Sequence, residues 1–269
     1  MTTLMDIEAY KCVEEMKITA VPIQDLKAVF YVFSRRIGIF IFFVCILFFD
    51  SIYFSEHILN SQTPINVLMG IGFLGMYYRA APRLKELMIY AVIIGFAGEY
   101  LFSRVLEMYT YRLQNVPLYV PFGHAALYGR IFMFSKASAV RKHHTAVEEL
   151  LTIGILLLAA IYLVFFKDVF GFVMTALVFL ILWKRPKDRI FFLSMYLLVA
   201  ILEIGGTAFG AWSWPRTGFG VFDFLSSNNP PSGISLFYFL LDIGCFFCYT
   251  QRHKQTWRRV KHIKRLARK

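Results

Sequence analysis

The sequence predicts an all-α bundle of about eight transmembrane helices, built as two parallel four-helix repeats with both termini in the cytoplasm. Three observations lead there. The chain of 269 residues is 58% hydrophobic and 17% charged, against about 45–50% and about 25% in soluble domains, and its mean hydropathy is +0.58. Its apolar runs come in lengths suited to about 30 Å of hydrocarbon. Its basic residues alternate regularly from one side of those runs to the other. In water, a fold of this composition would expose more apolar surface than a monomer keeps soluble.

In chain order the spans fall at residues 37–54, 65–78, 87–102, 117–133, 147–166, 169–183, 190–211 and 232–249. The second and sixth are short, as are helices that tilt beside a thinned bilayer or stop inside protein. With the N-terminus inside, every Lys and Arg except Arg104, Arg112, Lys167 and Arg216 belongs to a cytoplasmic segment. Such a bias sets orientation, so the formal charge of +12 is an orientation signal and not a nucleic-acid footprint. The chain then divides into a cytoplasmic amphipathic arm (1–34), a first repeat (35–142), a second repeat (143–250) and a basic tail (251–269) that lies, with Trp257, on anionic headgroups. The arm lacks the order of a signal peptide, so no cleavage is expected. The expected location is a bacterial-type inner membrane. Cys245 and Cys248 have redox-motif spacing but sit on an apolar helix, where packing is the simpler role.

The repeat rests on motifs. The same spacing separates Pro82 from Glu99 and Pro186 from Glu203. Glu99 is followed by Tyr109-Thr110-Tyr111, and Glu203 by Trp212-Ser213-Trp214. Pro121-Phe122-Gly123 with Tyr128 is then echoed by Pro231-Ser232-Gly233 with Tyr238. Because four helices is an even number, the two copies point the same way through the membrane.

An ionisable side chain inside hydrocarbon is costly and marks a functional position by default. Glu99 lies roughly 18 Å into the third span at about 1.5 Å per residue, and Glu203 comparably deep in the seventh. His124 enters the same layer from the fourth span, with Asp242 of the eighth below it. The aromatic pairs and the loop with Asn228 and Asn229 roof this layer. The plainer reading pairs Glu99 with Arg104, Glu107 with Arg112, and His124 with a carbonyl. Four ionisable groups at one level favour a site.

A desolvated carboxyl group is a competent general acid toward a substrate dissolved in lipid, and aromatic faces stabilise a developing cation. These parts suit hydration, cyclisation or isomerisation of an isoprenoid or other apolar lipid. Glu99, Glu203, His124 and Asp242 are the expected catalytic groups. Arg104, Tyr109, Tyr111, Tyr128, Trp212, Trp214, Asn228, Asn229 and Tyr238 are the expected substrate contacts, with no cofactor and no bound metal.

The stretch from Glu99 to Tyr111, followed by Val116-Pro117-Leu118-Tyr119-Val120-Pro121, resembles the carotenoid hydratases of the bisanhydrobacterioruberin type. The duplicated acid, aromatic-x-aromatic and proline pattern is similar to the small membrane lycopene cyclases. The resemblance implies cofactor-free acid catalysis on a long polyene.

Two other classes use the same groups differently. A proton-coupled transporter or lipid-binding protein would use the acids as relays or counter-ions. A metal-dependent oxidoreductase would need Glu99, His124, Glu203 and Asp242 to share one ion, and the other histidines, His57, His143, His144, His253 and His262, form no histidine box.

Overall fold

A computed structural model describes residues 23–256 and Arg258. The start of the N-terminal arm, Trp257 and nearly all of the basic tail lie outside the described residues. The protein is mostly helical, with four very short strands. Its helices are α1 (Ile23–Ile37), α2 (Phe40–Phe49), α3 (Ile52–His57), α4 (Gln62–Tyr78), α5 (Pro82–Tyr100), α6 (Tyr119–Ser135), α7 (Ser138–Lys142), α8 (His144–Phe166), α9 (Val169–Trp183), α10 (Arg189–Ala208) and α11 (Ser235–Arg252).

By length and composition, three helical stretches can cross a membrane: Pro82–Val105, His144–Phe166 and Pro186–Ala208. The pair Leu26–Arg36 and Phe40–Phe49, bent by 41°, makes a fourth if it acts as one span. The outer faces fit a hydrocarbon solvent. Only 11% of the apolar window of α8 is buried, and Leu150, Val164 and Phe165 stand open on it. In water such a face would be a large aggregation patch.

Local chemistry sets the boundaries. Pro82 opens α5 in the first turn, where its missing N–H costs nothing. Asp168 caps α9 by accepting from the Gly171 N–H, and Lys167, in the left-handed region at φ 54°, turns the chain between α8 and α9. The first expected span, residues 37–54, is not one helix. It breaks at Asp50, because the Ser51 hydroxyl accepts from the Phe54 N–H and starts α3 afresh, a side-chain cap that competes with continuation. The described part of the arm is the amphipathic helix α1, which packs on the end of α6 through Phe33 and Phe134.

Two aspartates that the sequence reading passed over fix one end of the bundle. Asp50 is fully buried and takes the Arg112 guanidinium at 2.6 Å and the Tyr119 hydroxyl at 2.7 Å, while Arg112 also reaches Ser55 and the Asp50 carbonyl. Arg112 therefore pairs with Asp50, and not with Glu107 as in the plainer alternative reading. Asp168, equally buried, accepts from the backbone N–H groups of Asn228 and Ser232 at 3.2 and 2.6 Å. Each aspartate ties a long connection back to a helix end.

Removing one member of a buried ion pair strands the other, at a cost of about 3–5 kcal/mol. Asp50→Ala should lower the thermal unfolding midpoint in detergent far more than Asp223→Ala, at an exposed position. Equal midpoints would show that the Arg112 anchor carries no such weight.

Candidate functional site

Glu99 ends α5 and Glu203 lies in the last third of α10, and each is 3% exposed. A buried carboxylate must have its oxygens satisfied by donors, and aromatic side chains supply them here. Glu99 Oε2 accepts from the hydroxyls of Tyr109 and Tyr111, the latter at 2.6 Å. Glu203 Oε2 accepts from the indole N–H groups of Trp212 and Trp214 at 2.7 and 3.1 Å, and its Oε1 from the Tyr238 hydroxyl at 3.0 Å. Glu99 thus takes two phenols and Glu203 two indoles, each pair from its own aromatic-x-aromatic segment, and Glu203 adds the Tyr238 phenol from α11.

The two segments meet. Strand β1 (Thr110–Tyr111) pairs antiparallel with β2 (Trp212–Ser213), in the register Thr110 to Ser213 and Tyr111 to Trp212. The Arg112 N–H extends the ladder to the Ala211 carbonyl at 2.9 Å. Tyr109 lies over Trp214 with ring centroids 4.3 Å apart, and Tyr111 meets Trp212 edge-on at 5.9 Å. Alternation along a strand turns residues 109 and 111, like 212 and 214, toward one face. That face is the one toward the glutamates. Tyr238 joins the two sides, since beyond its bond to Glu203 it also interacts with Glu99, and the two glutamates interact with each other.

His124 and Asp242 form a second pair below Tyr238, whose ring lies 5.4 Å from the imidazole. His124 Nε2 is 3.1 Å from Asp242 Oδ1, but the geometry is not that of a hydrogen bond, and both ring nitrogens and both carboxylate oxygens are buried without one. The Tyr128 hydroxyl, one turn along α6 from His124, is buried in the same condition and within electrostatic reach of Asp242.

A cavity of about 70 Å³ opens beside these groups. Its walls are mostly apolar, with Phe43, Leu47, Met69, Leu127 and Val199, and its polar atoms come from Glu203, His124, Tyr119, Trp212 and Tyr238. A dry cavity of ~150 Å³ takes up benzene, so this one accommodates only an end group of an apolar molecule. A narrower pocket of about 10 Å³, lined by Glu99, Tyr109, Trp214 and Tyr238, lies on the other side of Tyr238.

The remaining expected contacts are placed apart from the cavity. Arg104 is exposed on the π turn (Leu101–Val105), and Glu99 bonds phenols instead of pairing with it. Asn229 accepts from the Trp214 N–H at 2.8 Å and Asn228 donates its backbone N–H to Asp168, so both close the loop. Tyr119, which the sequence reading did not single out, spans from Asp50 to the cavity wall. Among the described residues no three His, Cys, Asp or Glu side chains converge where they could hold a metal.

These features define a helical membrane protein with a buried, aromatic-roofed pair of carboxyl groups. No family model, characterised protein or solved structure matches the chain.

The roof can be tested without touching a donor. A Cβ at Gly206 would lie 2.1 Å from the Trp212 ring, so Gly206→Ala should push the indole off Glu203, cost about 1–3 kcal/mol of stability and shift the tryptophan emission. An unchanged spectrum and midpoint would contradict this packing.

Burial first, and the Glu99 carboxylate second, push the Tyr109 and Tyr111 hydroxyls well above the ordinary tyrosine value. A raised folded-state pKa stabilises fully below the unfolded value near ~10 and is lost as pH rises through the folded value. Stability should therefore fall above about pH 10, and more shallowly in Tyr109→Phe/Tyr111→Phe than in the parent when circular dichroism follows unfolding.

Proposed function

We propose that this protein is an integral membrane enzyme that uses Glu203, Glu99 and His124 for acid–base chemistry on an apolar lipid or isoprenoid. The observation that carries the reading is the apolar cavity with Glu203 and His124 in its wall and Glu99 behind Tyr238. In this scheme the substrate enters from the lipid, and only its reacting end fits the cavity. The Glu203 carboxyl transfers its proton to one alkene carbon, the π electrons form the new C–H bond, and positive charge develops on the neighbouring carbon. The faces of Tyr238 and Trp212 stabilise that charge. Two completions balance the reaction. Loss of a neighbouring C–H proton to a carboxylate gives an isomer or, after attack by a second double bond, a ring. Addition of water, with its proton passing by way of His124 back to the Glu203 carboxylate, gives an alcohol.

The same proposal covers topology. Eight spans with both ends in the cytoplasm, two parallel repeats and an inner-membrane location are supported by the basic-residue alternation and by each glutamate taking donors from its own aromatic-x-aromatic segment. The basic tail would rest on anionic headgroups. The substrate class is the feature most open to direct measurement.

Untargeted lipidomics of cells expressing the parent and Glu203→Gln, at matched levels of monodisperse protein, tests the chemistry. The parent should convert one apolar species into an isomer or a product heavier by water. Glu203→Gln should reduce that conversion by at least ~100-fold, the scale of general acid–base catalysis, and Glu99→Gln should also reduce it. Full conversion by both variants would remove the catalytic assignment. Uptake abolished by an uncoupler, with no new product, would favour the transporter reading.

A further inference from the structure

At the other end of α6 two arginines lie near each other with no counter-ion among the described residues. Arg36 closes the last turn of α1, and its Nη1 sits 3.6 Å from the sulfur of Met133. Arg130 lies three residues before Met133 on the same helix, hence on the same face, and is close enough to Arg36 to interact with it electrostatically. The Arg130 Nε is buried with no hydrogen-bond partner. Neither guanidinium forms an ion pair among the described residues, where Arg112, Arg189 and Arg252 each have a carboxylate. Neighbouring cations are also accommodated: Arg83 lies over Phe132 and Tyr249, Lys85 over Tyr77 and Lys136 over Phe132. The carbonyl end of α1 compensates part of the Arg36 charge, but Arg130, mid-turn in α6, has no such help. Arg141 at the end of α7 adds to the positive field.

We propose that Arg36 and Arg130 form a binding site for a phosphate oxyanion where α1 packs on α6. The planar guanidinium fork matches phosphate oxygens in pairs, and two such forks around one anion turn a repulsive arrangement into an attractive one. Beside the arginines, Phe33 is exposed and Met133 half-buried, apolar surface suited to an acyl or prenyl chain, so the ligand class is a phosphate-headed lipid or, with the same chemistry, free phosphate. The site does not depend on the chemistry at Glu203.

Thermal unfolding and native mass spectrometry of the full chain in neutral detergent test it, with dioleoyl phosphatidic acid, inorganic phosphate and dioleoylglycerol as separate arms. Phosphatidic acid should bind and raise the midpoint, and Arg130→Gln and Arg36→Gln should each weaken binding at least tenfold while Arg79→Gln, at an exposed position, leaves it unchanged. An equal, Arg130-dependent shift with inorganic phosphate would support the site and assign it to the free anion. Unchanged affinity in both variants, or equal binding of dioleoylglycerol, would overturn it. If Arg130→Gln does not purify, Arg36→Gln alone decides between these outcomes.

Discussion

Two carboxyl groups withdrawn from water must be given hydrogen-bond donors by the protein itself, and much of the architecture around them answers that demand. Glu99 and Glu203 sit where α5 and α10 end, and the chain leaving each helix returns a pair of aromatic side chains to its own glutamate. The β1–β2 ladder, the stacking of Tyr109 on Trp214 and the close approach at Gly206 all position those donors. Phenols and indoles suit the task because each presents one polar atom on a large apolar body. The roof therefore satisfies the carboxyl groups and remains compatible with a hydrocarbon surrounding.

The sequence made the membrane class and the candidate layer legible for different reasons. Long apolar runs report their solvent directly, and an acid inside one is conspicuous. Equal spacing then tied Glu99 to Glu203, and both pairs of aromatics indeed lie against them. The first run misled because periodicity does not reveal a competing cap: Ser51 ends what composition alone would continue. Asp50 and Asp168 were readable as lone acids near the margins of apolar runs, and their partners were not. Arg112, Tyr119 and Ser232 meet them from more than fifty residues away, and such pairings are set by packing that no local pattern encodes.

His124 and Asp242 differ from the glutamates in how they are satisfied. Glu203 is surrounded by donors, while the imidazole and the aspartate keep polar atoms without a hydrogen bond between them. Tyr238 stands between the two environments, its hydroxyl bonded to Glu203 and its ring 5.4 Å from the His124 imidazole.

The ladder over the site is only two residues long on each strand, and isolated pairings of that kind have little stability of their own. Its order is borrowed from the interior. A glutamate whose protonation or ligation changes would offer its donors a different set of acceptors, and those donors are carried by the segments that include Thr110 and Ser213.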